Sequence, residues 1–287
     1  MKKRFFIGIL ILLLASFSDA LNAKSGAIGS QSILISPQVV QPGDEMRILL
    51  VFEEDISGIK VEMASPQGVL KPLRERRNNG FPSWVFTLYK IPSEGLFRIA
   101  VTLNDEQIYS TSFDVASKDG SRKEISSIWS TRRQWSGEVE NLYSAWLEFL
   151  FLEDEEGAYW ENLQEVLSDS NKNLLYNHLA LDEEKKLVMK PDCADNPYFL
   201  RAYFSWKLGL PFGFFKCDWG GRLGVPLCTD WASNQEPRKY GDSDIHAFQT
   251  FLMTIMNTVH SGSARTALAD NLTDLYPVKL NKKQLKP

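Results

Sequence analysis

The sequence predicts an α+β protein in two parts, a small β-sandwich followed by a mainly helical domain. Two observations carry this. Between Ser32 and Ala116, short runs rich in Val, Ile, Phe and Tyr are separated by turn residues. After the polar linker Ser117-Lys118-Asp119-Gly120-Ser121, the apolar spacing becomes that of helices. At 287 residues, 44% hydrophobic and 24% charged, the chain has the make-up of a globular protein, which excludes disordered, collagenous and disulfide-dense classes.

Residues 1–23 form the first element. Lys2-Lys3-Arg4 precede an unbroken apolar or Gly run from Phe5 to Leu14, and small and polar residues follow, with cleavage points after Ala20 or Ala23. This is the three-part layout of a secretory signal peptide. The run is too short to span a bilayer, which takes about 20 residues. No Cys near the cleavage region offers a lipoprotein site, and no later stretch reaches spanning length without charges. We therefore expect no membrane span in the mature chain. We expect export to the periplasm or the extracellular space, where disulfides persist.

Residues 25–117 form the sandwich. The expected strands are Ser32 to Ser36, Met46 to Phe52, Ile59 to Ser65, Trp84 to Ile91, Phe97 to Leu103 and Ile108 to Val115. Turn chemistry separates them at Pro42-Gly43-Asp44, Pro66-Gln67-Gly68, Asn78-Asn79-Gly80, Pro92-Ser93 and Asn104-Asp105. The basic cluster Arg74 to Arg77 reads as a solvated turn. The opening Ile35-Ser36-Pro37, then Val40, Pro42-Gly43-Asp44 and an apolar strand, resembles bacterial immunoglobulin-like modules.

Residues 122–287 form the helical domain. Glu138 to Phe151 carries a helical stripe of Val139, Leu142, Tyr143, Trp146, Leu147 and Leu150. Shorter helices are expected over Trp160 to Leu167 and Asn173 to Leu181. The clearest pattern is Asp244 to Val259, with Gly262 as a stop. Trp146 and Trp206 are expected in the core. For Trp219 and Trp231 burial is expected, with stacking on a sugar or a substrate cleft as the alternative.

Composition and motifs remove several functions. The formal net charge is −4 and no long Lys/Arg stripe is present, which argues against a nucleic acid or an anionic membrane surface as partner. No Cys-x-x-Cys, His-x-x-x-His or His-Glu-x-x-His spacing occurs, so neither metal nor cofactor is expected. Glu153-Asp154-Glu155-Glu156 reads as a solvated loop.

Chemistry concentrates at Cys193. Of three cysteines, Cys217 and Cys228 flank a Gly/Pro-rich loop and are the natural pair, leaving Cys193 free. A Cys193–Cys217 bridge stays open and would remove the nucleophile. Asn196 as N-cap with Pro197 at the first helical position places Cys193 in the turn before a helix, or in a kinked extension of it. A helix N-terminus lowers a thiol pKa, and its free N–H groups can bind an oxyanion. Asp192 and Asp195 oppose the thiolate unless they cap N–H groups. His246 is the candidate base, oriented by Asp242 or Asp244. His260 reads as a last-turn residue suited to the helix dipole, and His178 as a satisfied interior histidine.

Asp192-Cys193-Ala194-Asp195 before an aromatic helix resembles the nucleophile segment of papain-like NlpC/P60 and transglutaminase-like thiol hydrolases. The stretches Glu140 to Trp146, Asn177-His178-Leu179, Pro191 to Asp195 and Gly209-Leu210-Pro211-Phe212 are similar to a group of exported bacterial proteins with such a domain. The resemblance covers about half the chain. It implies Cys193 as nucleophile, a His on a following antiparallel sheet, and an amide bond of a cell-wall peptide or envelope protein as substrate. The chain departs from this pattern. It ends at Leu285-Lys286-Pro287 and shows no strand-like run after Cys193, so we expect a partial, truncated papain-like domain. The alternative function is a non-catalytic envelope binding protein that uses the sandwich as its interaction module.

Overall fold

A computed structural model describes residues 31–115, 126–152, 160–220, 226–239 and 242–262. Residues 1–30, with the expected signal peptide, the polar linker, the acidic run Glu153 to Glu156 and the C-terminal residues 263–287 lie outside these. Among the described residues, no helix is long and apolar enough to cross a membrane.

Eight antiparallel strands build two sheets. One contains β1 (Gln31–Ser36), β2 (Glu45–Phe52), β6 (Ser83–Lys90) and β5 (Arg74–Asn78), in the order β1-β2-β6-β5. The other runs β4-β3-β7-β8, with β3 (Ile59–Ser65), β4 (Gly68–Leu70), β7 (Gly95–Leu103) and β8 (Glu106–Val115). This is the strand order of an immunoglobulin-type sandwich with one added strand beside the third. The expected alternation in β3 holds: Ile59, Val61 and Met63 face the sandwich interior, against exposed Lys60 and Glu62. Asn104 and Asp105, at φ 50° and 67°, make the tight hairpin between β7 and β8.

Arg74 to Arg77 forms strand β5, not the expected solvated turn. It pairs antiparallel with β6 from Arg74↔Leu88 to Asn78↔Trp84. Its guanidinium groups lie over aromatic rings, Arg74 at 5.2 Å from the Phe86 centroid and Arg76 at 5.9 Å from Phe149. The apolar stems cover the sheet, and the Arg74 guanidinium donates to the Asn171 carbonyl at 3.1 Å.

β2 and β6 are buried on both faces. Met46, Ile48, Leu50, Phe52, Val85 and Tyr89 point into the sandwich. Leu49, Val51, Trp84, Phe86 and Leu88 point the other way, into a second core shared with the helices. The strands read as continuous apolar runs because both of their faces are covered.

The helical part has α1 (Gly137–Leu150), α2 (Leu163–Ser168), α3 (Glu183–Lys186), α4 (Asn196–Leu208) and α5 (Asp244–Thr258). The Ser136 hydroxyl caps α1 by accepting from Val139 N–H, and Asn162 caps α2 in the same way through Glu165 N–H. α1 buries two sides. Phe149 meets Trp84 and Phe86 of the sheet, at 5.5 and 4.7 Å between ring centroids, while Trp146 stacks on Tyr203 of α4 at 5.9 Å. α4 ends at Gly209 with φ 65°, a left-handed closure suited to glycine.

Asn173 to Leu181 is a series of turns, not the expected helix. Asn177, Ala180 and Asp182 all have positive φ, near 50°. The backbone N–H groups of Asn177, Leu179 and Leu181 donate to the Glu183 and Glu184 carboxylates instead of to helical carbonyls.

Strands do follow Cys193, which corrects the expectation of none. β9 (Gly213–Cys217) and β10 (Cys228–Ser233) form a two-stranded antiparallel hairpin that packs against α5. Phe214 and Ala232 turn into the helical core, polar residues alternate with the apolar ones, and the Cys217–Cys228 bridge closes the end of the ladder. Gly213 is required there, since an added Cβ would fall inside the Trp231 ring.

Candidate active site around Cys193

Cys217 and Cys228 form a disulfide, and Cys193 is the free, exposed thiol. The open alternative, a Cys193–Cys217 bridge, is therefore not adopted.

The segment before α4 is a compact turn. Asp192 Oδ1 accepts from the N–H groups of Ala194 and Asp195, at 2.8 and 3.0 Å, and the Asp192 carbonyl accepts from Asn196 N–H at 3.0 Å. Pro197, which donates nothing, sits in the first turn of α4, and Asp195 occupies the cap position one residue before the expected Asn196. The turn carries Cys193 to the surface and sends Asp195 inward, where it is 3% exposed. One oxygen of Asp195 faces Asp192 N–H at 3.5 Å, and the other, Oδ1, is buried with no partner. Burial, then the Asp192 carboxylate, pushes the Asp195 carboxyl up to about 6, against the opposing pull of the Asp192 N–H and the His260 charge. Asp192 thus caps N–H groups, as the sequence allowed, whereas Asp195 makes no side-chain cap to α4 and takes only the long Asp192 N–H contact.

The three histidines occupy different settings. His246 is capped into the first turn of α5 by Ser243, and its ring is 65% exposed, 3.7 Å from Asp242. Asp244 binds Arg238 at 2.6 Å. Among the described residues, no hydrogen bond joins His246 to Cys193. His178 is buried, with its carbonyl taking Gln38 N–H at 2.8 Å, but its Nδ1 has no partner. Burial first, then the charges of Lys207, Arg133 and Arg47, holds it well below the ordinary histidine range, hence neutral. It is interior as expected, yet not fully satisfied.

His260 lies beyond the end of α5 rather than in its last turn. It is 4% exposed, and its Nε2 is 2.7 Å from the Asp218 carbonyl. Trp219 stacks on its ring at 4.2 Å and 10°. Trp219 and Trp231 are exposed, contrary to the expected burial: Trp219 stacks on His260, and Trp231 meets Phe215 edge to face at 4.8 Å beside Gly213. Asp218 is pinned by Gly220 and Leu227 N–H groups, which hold its carboxyl below the usual range.

A second polar centre escaped the sequence reading. Lys207 is fully buried and pairs with Glu183 at 2.5 Å and with Glu184. Tyr203 donates to Glu184 and accepts from Asn173, whose Oδ1 takes the Trp146 indole N–H at 3.3 Å. Burial alone would raise the Glu183 carboxyl, but the Lys207 ammonium and nearby N–H groups hold it low. The residues come from α1, α3, α4 and the turns between α2 and α3, and no spacing in the sequence announces such a cluster. Among the described residues, no group of three or more His, Cys, Asp or Glu side chains is arranged to hold a metal ion.

No protein-family model matches the chain, and no curated protein matches it. Among solved structures, the chain is similar to the one titled "Crystal structure of the Lin-41 filamin domain". The identity is 16%, covering 31% of this chain and 95% of that chain, with a TM-score of 0.26.

Proposed function

We propose that the chain is an exported thiol hydrolase, an amidase or peptidase acting on amide bonds of cell-wall peptides or envelope proteins, whose helical part is a partial papain-like domain. The observation that carries this reading is the free, exposed Cys193 in the turn before α4, with the other two cysteines bridged to each other. In the reaction the Cys193 thiol gives its proton to a base and attacks the substrate carbonyl carbon. The tetrahedral adduct collapses to a thioester as the amine leaves with a proton, and water then releases the acid. The N–H groups of Ala194, Asp195 and Asn196, which a helix start would offer to an oxyanion, are taken by Asp192. His246, in the first turn of α5, is the candidate base. The leader at residues 1–23 is the basis for export.

The test labels the non-reduced mature protein with iodoacetamide from pH 5 to 9 and maps the adducts by peptide mass. A parallel assay measures release of amines from cell-wall peptides by wild-type and Cys193→Ala protein. The expected result is labelling at Cys193 alone, with a midpoint below the ordinary thiol value of about 8.5, and hydrolysis abolished in the variant. An ordinary midpoint with no hydrolysis overturns the reading and leaves the binding-protein alternative.

A further inference from the structure

We propose that the β9–β10 hairpin binds a neutral, β-linked polysaccharide, with Trp219 and Trp231 stacking on pyranose rings and Asp218 and Asp230 accepting from their hydroxyls. This goes beyond the hydrolase reading and does not depend on Cys193.

The dipeptide Asp-Trp occurs twice on this hairpin, as Asp218-Trp219 just after β9 and as Asp230-Trp231 within β10. Both indoles are exposed, at 76% and 53%, in a fold that buries Trp84, Trp129, Trp146 and Trp206 almost completely. Each is nevertheless held by a neighbouring ring. Trp219 lies parallel to the buried His260 at 4.2 Å, and Trp231 stands edge to face on Phe215 at 4.8 Å. The Cys217–Cys228 bridge and the bond from Asp218 N–H to the Leu227 carbonyl lock the two strands between them. A ring fixed before its ligand arrives loses little freedom on binding.

The groups beside the indoles select the ligand. Asp218 Oδ1 accepts from Gly220 and Leu227 N–H, which sets the plane of that carboxylate. The Asp230 side chain is 72% exposed, with Lys216 at 3.7 Å. A carboxylate accepts and a hydroxyl donates. A pyranose ring with equatorial substituents has apolar C–H faces and a rim of hydroxyls. An indole next to a carboxylate therefore matches both parts of it, and here the match is present twice. From the Trp231–Phe215 pair to the Asp218–Leu227 bond is three residues, about 10 Å at the rise of a strand, so a chain of several rings meets both indoles.

Charge and composition argue against other partners. On the described hairpin, two carboxylates face the single ammonium of Lys216, which opposes nucleic acid and anionic lipid but costs a neutral polyol nothing. The centre of a protein–protein interface is depleted of Asp and Lys, whereas each indole here has a charged neighbour.

The test titrates the full, non-reduced chain with cellohexaose and with chitohexaose in a calorimeter. Wild type is compared with Trp219→Ala, Trp231→Ala and Asp230→Ala, with circular dichroism as a check on folding. Wild type is expected to bind saturably, and each variant about tenfold more weakly. A second readout uses folded wild type alone: the bound hexaose protects Trp219 and Trp231 from oxidation by N-bromosuccinimide, mapped by peptide mass. No binding of either hexaose overturns the proposal. So does binding that the three variants leave unchanged, or protection confined to other tryptophans. A dimer in sedimentation velocity that Trp219→Ala or Trp231→Ala dissociates would also overturn it, since a second copy would then cover the indoles.

Discussion

The indole N–H of Trp84 on β6 donates to the Glu148 carboxylate on α1 at 3.0 Å, and Asn78 at the end of β5 donates to the other oxygen of that carboxylate. This contact joins the sandwich to the helices across what the sequence presents as a domain boundary. Around it, Gln38 N–H meets the His178 carbonyl and Arg47 meets the Tyr176 carbonyl at 2.9 Å. One continuous core contains Leu49, Val51 and Phe86 from the sheet and Phe149, Trp146 and Phe204 from the helices. The two parts are therefore expected to unfold together.

Phe149→Ala tests that unity. The ring is 1% exposed between Trp84 and Phe86, and its removal costs about 3–5 kcal/mol, as for other buried aromatics. Hydrogen exchange followed by mass spectrometry should show β2, β6 and α1 losing protection in the same step. Destabilised helices over an unchanged sandwich would show that the two parts are separable.

Lys207→Met leaves Glu183 and Glu184 buried without their cation. Removing one member of a buried ion cluster costs about 3–5 kcal/mol. The loss should be visible as a lowered midpoint in denaturant titration. Because Glu183 and Glu184 also hold the turn N–H groups of Asn177, Leu179 and Leu181, exchange of those amides should accelerate. A variant as stable as wild type would show that the cluster contributes no net stability.

How much of this was legible follows from which signals are local. The alternation of Ile59, Val61 and Met63 and the spacing of Phe248, Leu252 and Ile255 give their elements directly, since each reports one covered face. The double burial of β2 was also written, in Leu49 and Val51 interleaved with Ile48 and Leu50, but a run without alternation names no second partner. β5 was hidden by charge, because Arg74 and Arg76 cover apolar rings with their stems. Ala180 at φ 55° carries no signal at all, as alanine ordinarily favours the helix that its neighbours suggested. The Cys193 turn was legible from Asp192 and Pro197, and the disulfide from the loop between its cysteines. His260 was not, because its partners Asp218 and Trp219 lie far off in the sequence and reach it only through the hairpin.

Stability should depend on pH through two buried groups that act in opposite directions. His178 is held well below its unfolded value, so its contribution is present above about 6.5 and is lost as pH falls and the unfolded chain takes up the proton. Asp195 is raised to about 6, so its contribution is complete below about 3.9 and is lost as pH rises through 6. Asp195→Asn removes a carboxylate that is ionised and buried at pH 8. It should stabilise the protein there by on the order of 2 kcal/mol and by little at pH 4. Thermal melts of wild type and variant at the two pH values provide the check, and an equal effect at both would rule out this origin.

The disulfide is expected to act on His260 through the loop it closes. It joins β9 to β10 at the Cys217↔Cys228 register, and Asp218, the next residue, presents its carbonyl to His260. Opening a bridge with a sequence separation of 11 costs roughly 2–3 kcal/mol by loop entropy. The double variant Cys217→Ser and Cys228→Ser should therefore melt at lower temperature. In temperature ranges where it stays folded, the Asp218 N–H to Leu227 bond should lose exchange protection. With Asp218 released, His260 loses its Nε2 contact, and its buried ring should become reactive to diethylpyrocarbonate. Should the ring stay unreactive while protection at Asp218 falls, the loop would be a structural clasp with no influence on His260. The antiparallel backbone pairing of β9 and β10, the Phe215–Trp231 ring contact and the Lys216–Asp230 pair at 3.7 Å still tie the strands without the bridge. The comparison therefore separates release of Asp218 from loss of the whole hairpin.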